Sequence, residues 1–388
     1  MPIRLEGAFK VEGPAHVKVL EGEVYVVGGL LGEGGELVVP VGRTYPGYTS
    51  NAVVEVSPDT GRISEYSDDE YWSLDSLSKQ IASSRNPIIV GPTDSGKSTL
   101  AAWTYNNAVR SGRGMAIATT DIGQNELYCP GFIAVARPSS GIALPGGGYQ
   151  VSSSCFVGSF TPSGHEHQYL MCASSIASTG EVVVDTDGWI TPWRGLGLKA
   201  ALAQVLGSGV IVAVGLDEAY SRYLEDVTGV EVLRVAGRRG KGKSREERRR
   251  HRERLLARHL VGGRVRSFKV GEPPIYGAPI FMGKPIPPGE VGGLQGIVYA
   301  EVGPEGVVVV ARKSGRRHTA SSPKVLPLGW ERGVLASIRR GSMAYPALVD
   351  RINYHKRTIG LYTRYEGEAD YIELGSVKVD IDSYTGRV

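Results

Sequence analysis

Cysteine is nearly absent from this 388-residue chain: Cys129, Cys155 and Cys172 are odd in number and lack C-x-x-C spacing. Neither a disulfide framework nor a thiolate zinc site is implied. No apolar run approaches the ~18 residues that a membrane span requires. The first thirty residues hold no basic segment followed by an apolar one, so no secretory leader is read there and the cytoplasm is the expected compartment. Asn and Gln are scarce, six of each, which suits a thermophilic source because side-chain amides are thermolabile. Internal repeats are missing, and so is the N-K-x-D run of a guanine-specific switch. The pair His165-x-His167 lacks the further spaced ligands of a zinc site.

What is present divides into three regions. Residues 1–75 alternate apolar and polar positions between glycine turns, as in HVKVLEGEVYVVGG and ELVVPVG, and predict an antiparallel β domain. Residues 76–263 change to buried strands (NPIIVG, GMAIATTD, EVVVDTDG, VIVAVG) separated by helical segments. That alternation predicts an α/β domain with a mostly parallel sheet covered on both faces. Residues 264–388 return to β-rich character (LQGIVYAEVGPEGVVVVARK, DYIELGSVKVDID) and carry no catalytic signature.

The segment GPTDSGKST, Gly91 to Thr99, satisfies G-x-x-x-x-G-K-[ST] between a predicted strand and a predicted helix. Gly91 and Gly96 let the backbone wrap so that the N–H groups of Thr93, Asp94 and Ser95 face phosphate oxygens, and the helix N-terminus adds partial positive charge. Lys97 is expected on the β- and γ-phosphates, and the Ser98 hydroxyl, followed by Thr99, on Mg²⁺. Asp94 occupies a variable position, where turn geometry is the expected role. A nucleoside triphosphate therefore binds here, which by itself names no reaction.

The next strand ends in TTDIGQ. Asp121 is placed to act as general base toward an attacking hydroxyl or to hold the Mg²⁺ shell, and Gln124 to orient the nucleophile or a metal water. Further on, GRRGKGKSREERRRHRERLLARH (residues 237–259) holds eleven Lys or Arg against three Glu, while the whole chain is only +4. Ser244 and Glu247 form an S-x-x-E capping box, which predicts a helix from Arg245. Arg245, Arg249 and Arg252 then share one face. A glycine-rich hinge feeding a cationic helix suits a lid over a phosphoryl group; a solvated helix or a nonspecific nucleic-acid patch is the plainer alternative.

These segments together resemble the polynucleotide 5′-hydroxyl kinases, the RNA kinases of pre-mRNA cleavage, tRNA splicing and rRNA processing and their archaeal relatives. The family pattern D-x-D-x-G-Q followed by P-P-G is met by Asp121, Gly123, Gln124 and CPG at 129–131, with Thr119 in place of the first Asp. FVGSFTPSG is similar to the family clasp, with Thr161 and Pro162 at its turn. DTDGWI resembles N-T-x-G-W, with Trp189 matched and Asp185 where Asn is usual. The basic helix resembles the lid, with Arg249 and Arg252 as catalytic cations and Arg248 adjacent.

The resemblance implies a P-loop core between two β domains, with ATP as phosphate donor, Mg²⁺ held by Ser98 and Asp121, and Glu12 against the adenine. It implies a single-stranded RNA or DNA end as substrate, stacked on Trp189. It also leaves a second possibility, an ATP-binding scaffold with weak or no catalysis in an RNA-processing complex. Protein partners are unknown from sequence.

Overall fold

The computed structural model describes residues 2–57, 61–237, 242–292, 294–312 and 323–385. It is α/β, with a central P-loop sheet and β-rich regions on the N- and C-terminal sides in sequence, as the alternation of patterns predicts. By contact the chain forms two compact units. The first holds residues 1–128, 133–153 and 162–248, and the second 129–132, 154–161 and 249–388.

In the first unit, the N-terminal sheet is built on the strand Pro2–Glu12, paired antiparallel with Thr44–Ser57 and Arg62–Glu65. Its inward positions, among them Phe9, Val11, Val24, Val26 and Val54, do not close a separate core. They join one apolar cluster with Tyr71, Ile89, Leu100, Trp103, Val183 and Val212 of the P-loop region. The sequence boundary at residue 75 therefore marks a change of pattern and not a gap in packing. Polar groups fix this packing: Asn106 Nδ2 donates to the Val27 and Ala143 carbonyls at 2.8 and 2.9 Å. Buried Asp75 accepts from Trp103 Nε1 and Asn107 Nδ2, both at 3.0 Å, and pairs with Lys79 at 2.7 Å. The P-loop helix, Lys97–Arg110, is thereby pinned along its length, with ten of its residues buried.

The central sheet has seven strands. The P-loop strand Ile88–Val90 lies between Val182–Asp185 and Ile211–Val214, and Ala116–Thr119 pairs with the far side of Val182–Asp185, all parallel. The carboxyl ends of these strands carry Gly91, Asp121 and Asp185, and a parallel α/β sheet binds its ligands at that edge.

The second unit contains a six-stranded sheet with Val334–Arg340, Met343–Asn353 and Thr358–Thr363 near its centre, and a four-stranded sheet from Lys284 to Pro327. Ile338, Val349, Ile359, Leu361 and Ile372 form its core. After the short stretches 129–132 and 154–161, the long final stretch of this unit begins at Arg249, inside the basic helix. Leu255, Leu256 and Leu260 are buried, so the second half of that helix is a packed element as well as a charged one.

One reading from composition is corrected. Cys155 and Cys172 are disulfide-bonded, and only Cys129 is a free, buried thiol. Pairing depends on folded geometry, which an odd count and spacing along the chain do not report. No described helix is long and apolar enough to cross a membrane.

Candidate active site

The P-loop forms as its sequence requires. Gly96 stands at the helix N-cap with φ 103°, a conformation in which a side chain would be strained. Lys97 is buried, and its Nζ donates to the Pro92 carbonyl at 2.7 Å, placing the ammonium inside the curve of the loop. Burial lowers the Lys97 pKa from its ordinary value, and the nearby Asp185 and Asp121 carboxylates oppose that shift. Gly188 supplies the close approach on the neighbouring strand end. A Cβ there would lie 2.3 Å from Thr93 Oγ1 and 2.5 Å from Thr93 N, so the DTDGW turn packs directly on the loop.

Two cavities adjoin along this loop. One of 490 Å³ is lined by residues 93–99 together with Arg43, Asp121, Gln124, Glu126 and Lys243. The other, of 820 Å³, shares Ser95, Gly96 and Thr99 with it and is walled by Lys10, Tyr66, Asp69, Trp103, Val235 and Gly237. The first is polar, with Arg43, Lys97 and Lys243 set among Asp94, Asp121 and Glu126, and suits a phosphate chain; the second has the aromatic and aliphatic walls that suit a nucleoside. Lys10 Nζ sits 4.0 Å from the Tyr66 ring centroid. Glu12 is exposed at the end of its strand, opposite Thr44 and Arg62, and is not among the residues that wall the nucleoside cavity.

Asp121 ends the strand beside the phosphate cavity. Its Oδ1 accepts from the Gly123 and Gln124 N–H groups at 3.0 and 2.9 Å, which sets the carboxylate in one orientation. Its own N–H donates to Thr119 Oγ1 at 3.1 Å, so the residue in place of the family's first Asp shapes the turn. Burial, reinforced by the Asp187 charge, pushes the Asp121 pKa upward, and those two N–H groups and Lys97 oppose the rise. A raised carboxylate is a better proton acceptor near neutrality.

The DTDGW turn is held by a charge network that the sequence does not announce. Lys199, fully buried, is ion-paired with Asp187 Oδ2, which also accepts from Tyr169 Oη at 2.8 Å. The other oxygen of Asp187 accepts the Trp189 N–H at 2.8 Å, so the backbone of the half-buried Trp189 is fixed from behind. Asp185 accepts from Ser98 Oγ at 2.6 Å, and desolvation lifts its pKa to about 6. An ionised Asp185 thus costs the folded state stability above pH 6, and that cost fades as pH falls toward the unfolded carboxylate value. Asp185→Asn is expected to stabilise the nucleotide-free protein at pH 7.5 by on the order of 1–3 kcal/mol, the equivalent of a two-unit shift. Thermal unfolding across pH should show that gain shrinking between pH 6 and 4.

The capping box forms reciprocally. Ser244 N donates to Glu247 Oε2 at 2.6 Å and Glu247 N to Ser244 Oγ at 3.2 Å, and the helix starts at Arg245 as predicted and runs to Leu260. Of the hinge residues, 238–241 lie outside the described ones. Asp94, in the left-handed region with φ 63°, accepts from Lys243 N at 2.9 Å and from Arg248 Nη2 at 3.1 Å. Its role extends beyond turn geometry, because it ties the start of the basic helix to the P-loop. Arg249 and Arg252 belong to the second unit, where Arg249 pairs with Glu253 at 2.9 Å and the Arg252 guanidinium lies 4.8 Å from the Phe160 ring centroid. Thr161 is there too, its N–H donating to Ser159 Oγ at 3.3 Å, while the Pro162 carbonyl in the first unit accepts from His165 N at 2.8 Å.

Sequence reasoning missed Arg43, Lys10 and Lys243. Arg43 follows Gly42 in the turn before a long strand and is ion-paired with Glu126 at the phosphate cavity. No local pattern marks it, since its partners lie more than fifty residues away. No cluster of three or more His, Cys, Asp or Glu able to hold a metal occurs among the described residues. A P-loop Mg²⁺ takes one or two carboxylates plus phosphates and waters, so none is needed.

Residues 91–260 match the family described as mRNA cleavage and polyadenylation factor CLP1 P-loop. The chain is similar to a polyribonucleotide 5′-hydroxyl-kinase of Pyrococcus horikoshii, 23% identical over 278 residues, covering 68% of this chain and 73% of that protein. It is 28% identical over 222 residues to a CLP1 homolog of Anopheles gambiae, covering 48% and 51%. With polyribonucleotide 5′-hydroxyl-kinase Clp1 of Danio rerio it shares 27% over 201 residues, covering 47% and 44%. The match thus spans about half the length of the two animal relatives. Among solved structures, the Clp1p–Pcf11p complex contains a chain with a TM-score of 0.62 at 14% identity, covering 97% of this chain and 98% of that one, a likeness of fold.

Proposed function

We propose, from the match of residues 91–260 to the CLP1 P-loop family, that this chain is an ATP-dependent polynucleotide 5′-hydroxyl kinase acting on RNA. The observation that carries this reading is the pair of adjoining cavities on one P-loop, with Asp121 in the wall of the phosphate cavity. The nucleoside of ATP occupies the cavity between Lys10, Tyr66 and Gly237. Its phosphates lie along residues 93–99, with Lys97 on the β- and γ-phosphates and Arg43 and Lys243 adding positive charge from the cavity walls.

The reaction asks little covalent chemistry of the protein, since phosphoryl transfer rests on positioning and charge. The 5′-oxygen of the polynucleotide forms a bond to the γ-phosphorus as the bond from phosphorus to the β,γ-bridging oxygen breaks and ADP leaves. Asp121 takes the 5′-hydroxyl proton on Oδ2, Oδ1 being engaged by backbone N–H groups. Gln124 orients the incoming hydroxyl. Arg248 releases Asp94 to meet the phosphoryl oxygens. Mg²⁺, held from the protein side by Ser98 and a nearby carboxylate, would neutralise charge on the β- and γ-oxygens. In the second unit, Arg249, Arg252 and Lys378 line a basic cavity of 770 Å³ beside Phe160. Its chemistry suits an RNA phosphodiester and base, with Thr161 and Pro162 as the turn that follows Phe160 in sequence. Trp189 offers a further stacking face.

Mass spectrometry of a 5′-hydroxyl oligoribonucleotide incubated with ATP and Mg²⁺ tests the proposal. One phosphate should appear on the RNA for each ADP released. ADP formation without phosphorylated RNA would contradict it.

A further inference from the structure

Of the carboxylates on the phosphate side of the P-loop, four have their charge or orientation set by protein groups. Asp94 is held by Arg248 and Lys243 N, Glu126 by Arg43, Asp187 by Lys199 and Tyr169, and Asp121 by two backbone N–H groups. Asp185 differs. One oxygen accepts from the P-loop hydroxyl, Ser98 Oγ, and the other, Oδ1, is buried with no hydrogen-bond partner. A buried carboxylate oxygen is costly to leave unmatched, so its place in the fold calls for a cation or an ordered water.

The sheet register supplies a second, independent observation. Asp185 and Thr119 are direct Cα partners on adjacent parallel strands, so their side chains emerge on the same face. Both positions depart from the kinase pattern, with an acid lost at 119 and gained at 185. A small cavity of about 30 Å³ is walled by Ser98, Thr119, Gln124, Glu126 and Asp185, enough for an ordered water. Thr119 contributes a neutral hydroxyl to it and Asp185 a carboxylate.

We infer that Asp185 is the carboxylate that holds the ATP-bound divalent cation in this chain, directly or through one of its waters, and that it does so together with Ser98. The acidic function has moved one strand across the sheet, from 119 to 185, without leaving the cation's side of the P-loop. The inference rests on the ATP reading above and adds to it the residue that sets metal affinity. Asp121 is left for proton transfer.

The test uses the full chain with a non-hydrolysable ATP analogue, and Mn²⁺ followed by electron paramagnetic resonance. Asp185→Asn should weaken Mn²⁺ binding to the protein–analogue complex by at least about tenfold, the scale of losing one metal-supporting group. In EDTA the same variant should bind the analogue at least as tightly as wild type, because one negative charge facing the phosphates is gone. A structural role would weaken both. The exchange Thr119→Asp with Asp185→Asn should recover most of the Mn²⁺ affinity.

Mn²⁺ bound equally by wild type and D185N would overturn the inference, as would a double variant that folds, binds the analogue in EDTA and gains nothing over D185N. Should the double variant lose EDTA binding, D185N alone decides. Failure of wild type to bind the analogue in EDTA would overturn the ATP reading itself.

Discussion

Replacing Asp121 by Asn lowers the rate of phosphoryl transfer by about 10²–10⁴, the usual contribution of a positioned general base, and leaves ATP affinity nearly unchanged. Asn retains the Oδ1 that accepts from Gly123 and Gln124 N–H, so the turn is preserved while the proton acceptor is lost. The pH profile adds a readout that a structural role would not move. The base must be ionised to act, and burial raises its pKa, so wild-type turnover falls on the acid side as pH drops through that value. The residual activity of D121N should lack this acid limb. Single-turnover rates over a pH series, with ATP affinity measured in parallel, check both parts. An equal loss of affinity and rate would reassign Asp121 to a purely structural role.

Arg248→Ala is expected to lower turnover by on the order of 10³, the low end for an arginine that stabilises a transferring phosphoryl group. The reason is its position: Arg248 is ion-paired with Asp94 of the P-loop, one exchange of partner away from the phosphates. Arg248→Lys restores the charge without the planar fork and should recover only part of the rate. Asp94→Ala frees the start of the helix without removing the cation and should cost less than R248A. Comparing kcat with ATP dissociation constants for the three variants decides the matter. Parallel losses in both quantities for R248A would reduce the contact to a structural tether.

The legible parts of this protein were those whose information is local. The P-loop could be read because glycines, lysine and serine must stand at fixed spacing between one strand and one helix. The start of the basic helix could be read because Ser244 and Glu247 satisfy each other three residues apart. The β character of both flanking regions followed from alternation.

What escaped was assembled over distance. Arg43 reaches the phosphate cavity from a turn in the N-terminal sheet, and Lys199 neutralises Asp187 from the following helix. Among the lid arginines, a helical face drawn from residue 245 favours 249 and 252. The contact of Arg248 with Asp94 joins residues 154 positions apart, the latter in a left-handed turn. The nominal boundary at residue 75 dissolved for a similar reason. Trp103 and Asn106 face the N-terminal sheet from a helix whose sequence shows only its helical character.

One measurement bears most directly on the central claim. The full chain is incubated with γ-labelled ATP, Mg²⁺ and paired 5′-hydroxyl RNA and DNA oligonucleotides, and the products are digested to single nucleotides. The account predicts label in the 5′-terminal nucleotide of the RNA with wild type and its near disappearance with D121N. ATP retained intact on the protein, with no label on either nucleic acid, would contradict it and make the chain a nucleotide-bound scaffold.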